Sequence, residues 1–326
     1  MEPVKAASSR REIAMFLVVV FATSWLLWFV GIRTQVREDL LLFGAAGPAL
    51  AAALLIGTRQ RGARVPSRRF MLIFLGLIPV CWTALVINNA GRVGFQSLDW
   101  SAILILPALL PAAFVAFFLN AGKIRWQGSR WPLIAGFSVP AILLIPAVFA
   151  HFAGFPIVYP RKQDNALMQL GVAMGFFAKQ LLFAGLLEEP GWRGWLLPRM
   201  QQRHSPLTAS LLVWFPWALW HAPLDFTGGV GRTLVNYIQV RVVFFVAISI
   251  LLTWLFNHSN GSILVVALFH AGINTFPFVL PYSPPVLALI LVWAVWVLIA
   301  DRMWRSPSFR LSAQPGSSGA PSTVSV

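Results

Sequence analysis

The chain has 326 residues, of which 58% are apolar and only 11% charged, less than half the roughly 25% charged content of soluble domains. That composition excludes a disordered chain and a water-soluble globule, and a single cysteine, Cys81, excludes a disulfide scaffold. Lys and Arg total 25 against 10 Asp and Glu, a formal net charge of +15, but the apolar runs leave no soluble domain for a nucleic-acid site. The basic residues read as loop charges beside anionic lipid.

A helix crossing the hydrocarbon core needs about 20 mostly apolar residues. In chain order the candidate spans are Ile13–Val30, Leu40–Gly57, Phe70–Asn88, Ser101–Ala121, Trp131–Gly154, Ala166–Leu187, Pro206–Leu224, Val240–Phe256, Gly261–Leu280 and Pro284–Ala300. The fold class expected is an all-α polytopic transmembrane bundle of about ten spans (8–10), because backbone polar groups in lipid must be paired within the span. With the N-terminus inside, the inner loops collect 17 basic residues and the outer loops seven. That asymmetry predicts both termini in the cytoplasm, and the location expected is a bacterial plasma membrane. The chain divides into a cytoplasmic N-terminus (1–12), N-terminal spans (13–165), a core (166–280), a final span (281–305) and a disordered tail rich in Ser, Pro and Gly (306–326). The Trp residues near span ends read as interfacial anchors.

Ionisable groups inside hydrocarbon are costly, about 2.5–3.5 kcal/mol or more each, and mark function. They concentrate at the sixth span and its extension, with Lys179, Glu188, Glu189 and Arg193, and at two histidines deep in later spans, His221 and His270. Glu189 and Arg193 are spaced to pair on one helix face, which offsets much of their burial cost. Glu188 points about 100° away and has no partner on its own helix. The next turn falls near His204 and Ser205, so Glu188 and His221 lie at equal depth, about 24 Å from it, if the sixth helix runs on to about Pro198. In the ninth span His270 and Asn274 share a face. One carboxylate, two imidazoles and an amide suit water activation. Glu188 would take a proton, and the imidazoles would position the water, hold a metal or stabilise a tetrahedral oxyanion. Two His and one Glu supply three ligands for zinc with a fourth position open, so Glu188, His221 and His270 are also the candidate metal set.

The stretch Glu188–Glu189–Pro190–Gly191–Trp192–Arg193 resembles the E-E-x-x-x-R motif of the CPBP (Abi) family, membrane proteases related to the CAAX prenyl endopeptidase of the Rce type. Trp217–Ala218–Leu219–Trp220–His221 resembles its F-x-x-x-H motif with Trp for Phe, and His270–Ala271–Gly272–Ile273–Asn274 its H-x-x-x-N motif. The resemblance covers about a third of the chain. It implies a hydrolase, an intramembrane (metallo)endopeptidase, with Glu188 as the carboxylate activating water. It gives His221 and His270 as water- or metal-positioning groups, Asn274 as their partner or an oxyanion donor, and Glu189 and Arg193 as supports. It further implies peptide or lipid-modified protein substrates cleaved near the cytoplasmic leaflet, within membrane lipid. Glutamate-activated water leads over a divalent metal. The alternatives from the residues alone are a proton-coupled transporter using the same Glu and His and a catalytically silent membrane scaffold.

Overall fold

The computed structural model describes residues 10–33, 44–57, 76, 130–227, 238–283 and 285–305. Among these the chain is helical, apart from one isolated antiparallel bridge between Val158 and Tyr282. The spans expected at Phe70–Asn88 and Ser101–Ala121 fall outside the described residues, Gly76 excepted, as do Cys81, the first nine residues and the tail from Ser306. Each of the other expected spans is mainly helical over its described residues. We number the helices α1 (Arg10–Arg33), α2 (Gly47–Gly57), α3 (Arg130–Phe152), α4 (Ala166–Gln201), α5 (Pro206–Trp220), α6 (Ala222–Thr227), α7 (Val240–His258), α8 (Ile263–Val279) and α9 (Val286–Ala300). Among the described residues α1, α3, α4 and α7 are long and apolar enough to cross a membrane, and α5, α8 and α9 are shorter apolar helices. The outward faces are apolar too: Phe149 is 71% exposed, Ile145 70% and Val18 66%. A bundle that turns such side chains outward is solvated by lipid, so this is an integral membrane protein.

Helix α4 organises the core. Asn165 caps its start, accepting from the Met168 N–H at 2.7 Å, and it runs 36 residues without a break. The extension past Leu187 required by the depth argument is therefore present. Two turns within it are π-type, Leu181–Gly185 and Trp192–Leu196. They bracket the segment Leu186–Gly191, in which Pro190 has no N–H to donate. Ser205 then caps α5, with Pro206 in its first turn. Helix α5 stops at Trp220, earlier than expected, and His221 is its C-cap rather than a mid-span residue. Pro223, two residues on, cannot donate to continue the α5 ladder. Helix α8 packs against α3 and α4, α2 against α4, and α5 and α9 against α7.

Tryptophans fill this interior. Trp28, Trp192, Trp195, Trp217 and Trp220 are all under 2% exposed or at it, which corrects the interfacial role for these five. Apolar attraction between helices is weak inside lipid, so close packing must hold the bundle, and broad rigid rings supply it. Phe16 of α1 stacks on Trp195 at 4.5 Å, and Trp28 of α1 meets Trp220 at 4.5 Å.

Two glycines allow the backbones to meet. A Cβ on Gly185 would lie 2.7 Å from the Ala267 carbonyl oxygen of α8, and one on Gly191 2.4 Å from the Pro48 carbonyl oxygen of α2. Gly191→Ala is expected to force α2 away and lower stability by about 1–3 kcal/mol, read as a drop in the unfolding midpoint in detergent. An unchanged midpoint would mean that α2 does not seat there.

Candidate active site

The three motifs meet around one side chain. The Trp217 indole Nε1–H donates to Glu188 Oε2 at 2.9 Å. The ring stands edge-on to His270 at 5.6 Å and to His221 at 5.9 Å, and stacks on Phe245 of α7 at 4.3 Å. The Arg193 guanidinium carbon lies 4.3 Å from its centroid. Glu188 is 5% exposed, and among the described residues its other oxygen takes no hydrogen bond. The depth match holds in modified form: the long indole reaches Glu188 from one turn before His221.

Behind this lies a second carboxylate. Glu189 Oε1 accepts from Arg193 Nη1 at 3.0 Å and from His270 Nδ1 at 2.7 Å. Glu189 and Arg193 are fully buried and His270 is 4% exposed. The expected Glu189–Arg193 pair is present, and it also grips a histidine 81 residues further on. A carboxylate only accepts, so His270 Nδ1 carries the proton, and Nε2 is the lone-pair nitrogen of the neutral ring. The same reasoning applies to His221, whose Nδ1 lies 2.9 Å from the Trp217 carbonyl oxygen. Both rings are fixed in one tautomer by a neighbour that cannot donate. Asn274 does not take this orienting part for His270. Its Nδ2 donates to Gln180 Oε1 of α4 at 3.1 Å.

Part of this cluster faces a cavity of about 700 Å³. Trp217, His221, His270, Asn274 and Gln180 form its polar wall, while Val139, Ile142, Phe176, Ile248 and Ile273 are among its apolar lining. Glu188 lies behind Trp217 rather than in the lining. The cavity reaches the end of the bundle that carries Arg161 and Tyr282, opposite the turn between α4 and α5. The zinc option meets a difficulty. Among the described residues no group of three His, Cys, Asp or Glu side chains is placed to hold a metal ion, and Glu188 is turned onto an indole. The donors as arranged do not fit a three-ligand site.

Sequence reasoning named Glu188, Glu189, Arg193, His221, His270 and Asn274, and the structure brings all six to one region. It passed over Gln180, and it took Trp217 only as a Trp at the Phe position of a motif. The available signal was an indole N–H one turn from His221, on the helix expected to face an unpartnered carboxylate.

Comparison with known proteins covers the same region. Residues 169–276 match the family described as type II CAAX prenyl endopeptidase Rce1-like. Over 99 residues the chain is 35% identical to CAAX prenyl protease 2 of Methanococcus maripaludis, an overlap of 29% of this chain and 36% of that relative. The chain thus spans about a third of the length of the curated relative it matches.

The buried pair yields a stability prediction. Arg193→Met removes one cation from a fully buried carboxylate and should cost about 3–5 kcal/mol, seen as a lowered unfolding midpoint in detergent. Glu189→Gln combined with Arg193→Met should recover most of it. A double variant as unstable as the single would show that packing, not charge, is lost.

Proposed function

We propose, from the premise that the core of this chain belongs to the CPBP family of Rce type, that the protein is an intramembrane endopeptidase hydrolysing a peptide bond with water activated by Glu188. The observation that carries this reading is the convergence of Glu188, His221 and His270 on one indole beside a cavity that also holds Asn274.

The chemistry follows from the hydrogen bonds. Trp217 engages one oxygen of Glu188 and aims the carboxylate; the other oxygen is the base. A water held by the histidine rings gives it a proton while the water oxygen bonds to the carbonyl carbon of the peptide. The tetrahedral oxyanion is met by the Asn274 N–H that is not given to Gln180. As the C–N bond breaks, the proton passes from Glu188 to the leaving amine. Glu189 holds His270 in the tautomer this requires, and Arg193 holds Glu189. No step is routed through a metal. The apolar cavity walls suit apolar side chains and an attached lipid, in line with lipid-modified protein substrates. The buried ion pair and the fixed tautomers favour hydrolysis over proton transport, because Glu189, Arg193 and His270 are held to one another.

Purified protein in detergent, kept in chelator, should cleave members of a library of lipid-modified peptides. Glu188→Gln should lower the rate by about 10²–10⁴-fold or more while peptide binding persists. Cleavage surviving in Glu188→Gln, or abolished by the chelator and restored by zinc, would reject the scheme. Trp217→Phe supplies the residue of the family motif but no N–H. It should retain the fold and lower kcat by about 10–100-fold, the worth of a hydrogen bond to a charged group, with little change in KM. An unchanged kcat would make the indole packing only.

A further inference from the structure

Two buried ionisable groups, one in α6 and one at the start of α7, take no part in the scheme above. Arg241 of α7 donates to Asp225 of α6 through Nε at 2.6 Å and Nη2 at 2.9 Å, and the two side chains are 12% and 2% exposed. A pair withdrawn this far gains little stability over apolar side chains of the same volume, because desolvation offsets its attraction. What a two-point fork supplies and apolar packing does not is direction. The guanidinium held by that fork lies over Phe245, 4.5 Å from the ring centroid.

Phe245 carries that placement to the site. Its ring stacks on Trp217 at 4.3 Å, with 19° between the planes, and stands edge-on to His221 at 5.2 Å. The Trp217 indole in turn donates to Glu188. Further hydrogen bonds fasten the pair to the same stretch of chain. The Asp225 N–H donates to the His221 carbonyl at 3.2 Å, and the Trp214 indole N–H donates to the Arg241 carbonyl at 2.8 Å. The ion pair thus clamps the end of α5 and α6 to the start of α7, against the ring that seats the indole. A hydrogen bond weakens steeply with misalignment, so a tilt of that indole would take its N–H off the carboxylate.

We infer that Asp225 and Arg241 are positioning residues for Glu188: they fix Phe245, Phe245 seats the Trp217 indole, and the indole aims the carboxylate. Neither touches the reacting atoms in this role. Arg241 lines the cavity, but its fork is turned to Asp225. This inference rests on the hydrolytic reading and adds two residues to that site. It also separates orientation from stability, since an apolar pair of equal volume would hold the helices together and leave the indole unaimed.

The test uses the full chain in detergent with 5-fluorotryptophan in place of tryptophan, so that the fluorine resonance lost in Trp217→Phe reports this ring without turnover. Arg241→Lys keeps the cation and loses the fork. It should shift that resonance and lower kcat by about tenfold or more, the cost of a small misalignment, with KM held within about twofold. Asp225→Leu combined with Arg241→Met should keep the unfolding midpoint and show the same shift and the same loss of kcat. In the Trp217→Phe protein, Arg241→Lys should add no further loss, because no indole N–H is left to aim. An unmoved resonance, an unchanged kcat, a rise in KM alone, or a loss that multiplies with that of Trp217→Phe overturns the assignment. So does an apolar double variant that fails to fold or that recovers full kcat, since the pair is then structural only. If the parent cleaves no lipid-modified peptide, the hydrolytic reading falls and the resonance alone judges the clamp: a shift in Arg241→Lys leaves it standing as the seat of the indole, and no shift removes it as well.

Discussion

A carboxylate withdrawn from water needs a donor, and for Glu188 the donor is the indole of Trp217. The geometry of the site depends on that bond. The same residue fixes His221 through its carbonyl, stands edge-on to His270 and supports the Arg193 guanidinium on its ring. One side chain on α5 thereby joins groups from α4, α5 and α8. Glu189 makes the complementary link, joining Arg193 of its own helix to His270 of α8. The two glutamates are adjacent in sequence and have different work: one is turned to a single donor and keeps an oxygen open, the other holds an arginine and orients a ring through one oxygen.

The scaffold holds these groups by contact rather than by apolar exclusion, since lipid competes equally for apolar surface. Gly185 and Gly191 stand on either side of the two glutamates and let α8 and α2 come within touching distance of α4. Buried tryptophans occupy the larger gaps and bring α1 onto the same core. The carboxylates are therefore walled by backbone and rigid rings, which limits the ways in which they can relax away from their partners.

Much of this was legible in the sequence where spacing alone decides. The four-residue interval of Glu189 and Arg193 forecast their pair, and equal distances from the turn before Pro206 brought Glu188 and His221 to one side of the bundle. The family motifs pointed to the same residues. What escaped was decided by reach and by choice of partner. Periodicity places Asn274 beneath His270 but does not say that Gln180 competes for its amide and Glu189 for the ring. A tryptophan count does not separate rings at an interface from rings in a core. Arg161 sits in a loop, where a positive charge is ordinary, and its place at the cavity depends on a two-residue bridge between segments more than a hundred positions apart.

The wide turns of α4 have a consequence for how the site is set. A turn closed five residues apart holds one residue more than an α-turn, and each added residue swings everything after it by about 100° around the axis. The turn at Leu181–Gly185 thus acts as an index pin for the helix beyond it. Were it to tighten to ordinary pitch, Glu188 would rotate off the indole and a neighbour would swing into its place. Which of two adjacent acids faces the rings is a matter of winding as much as of composition.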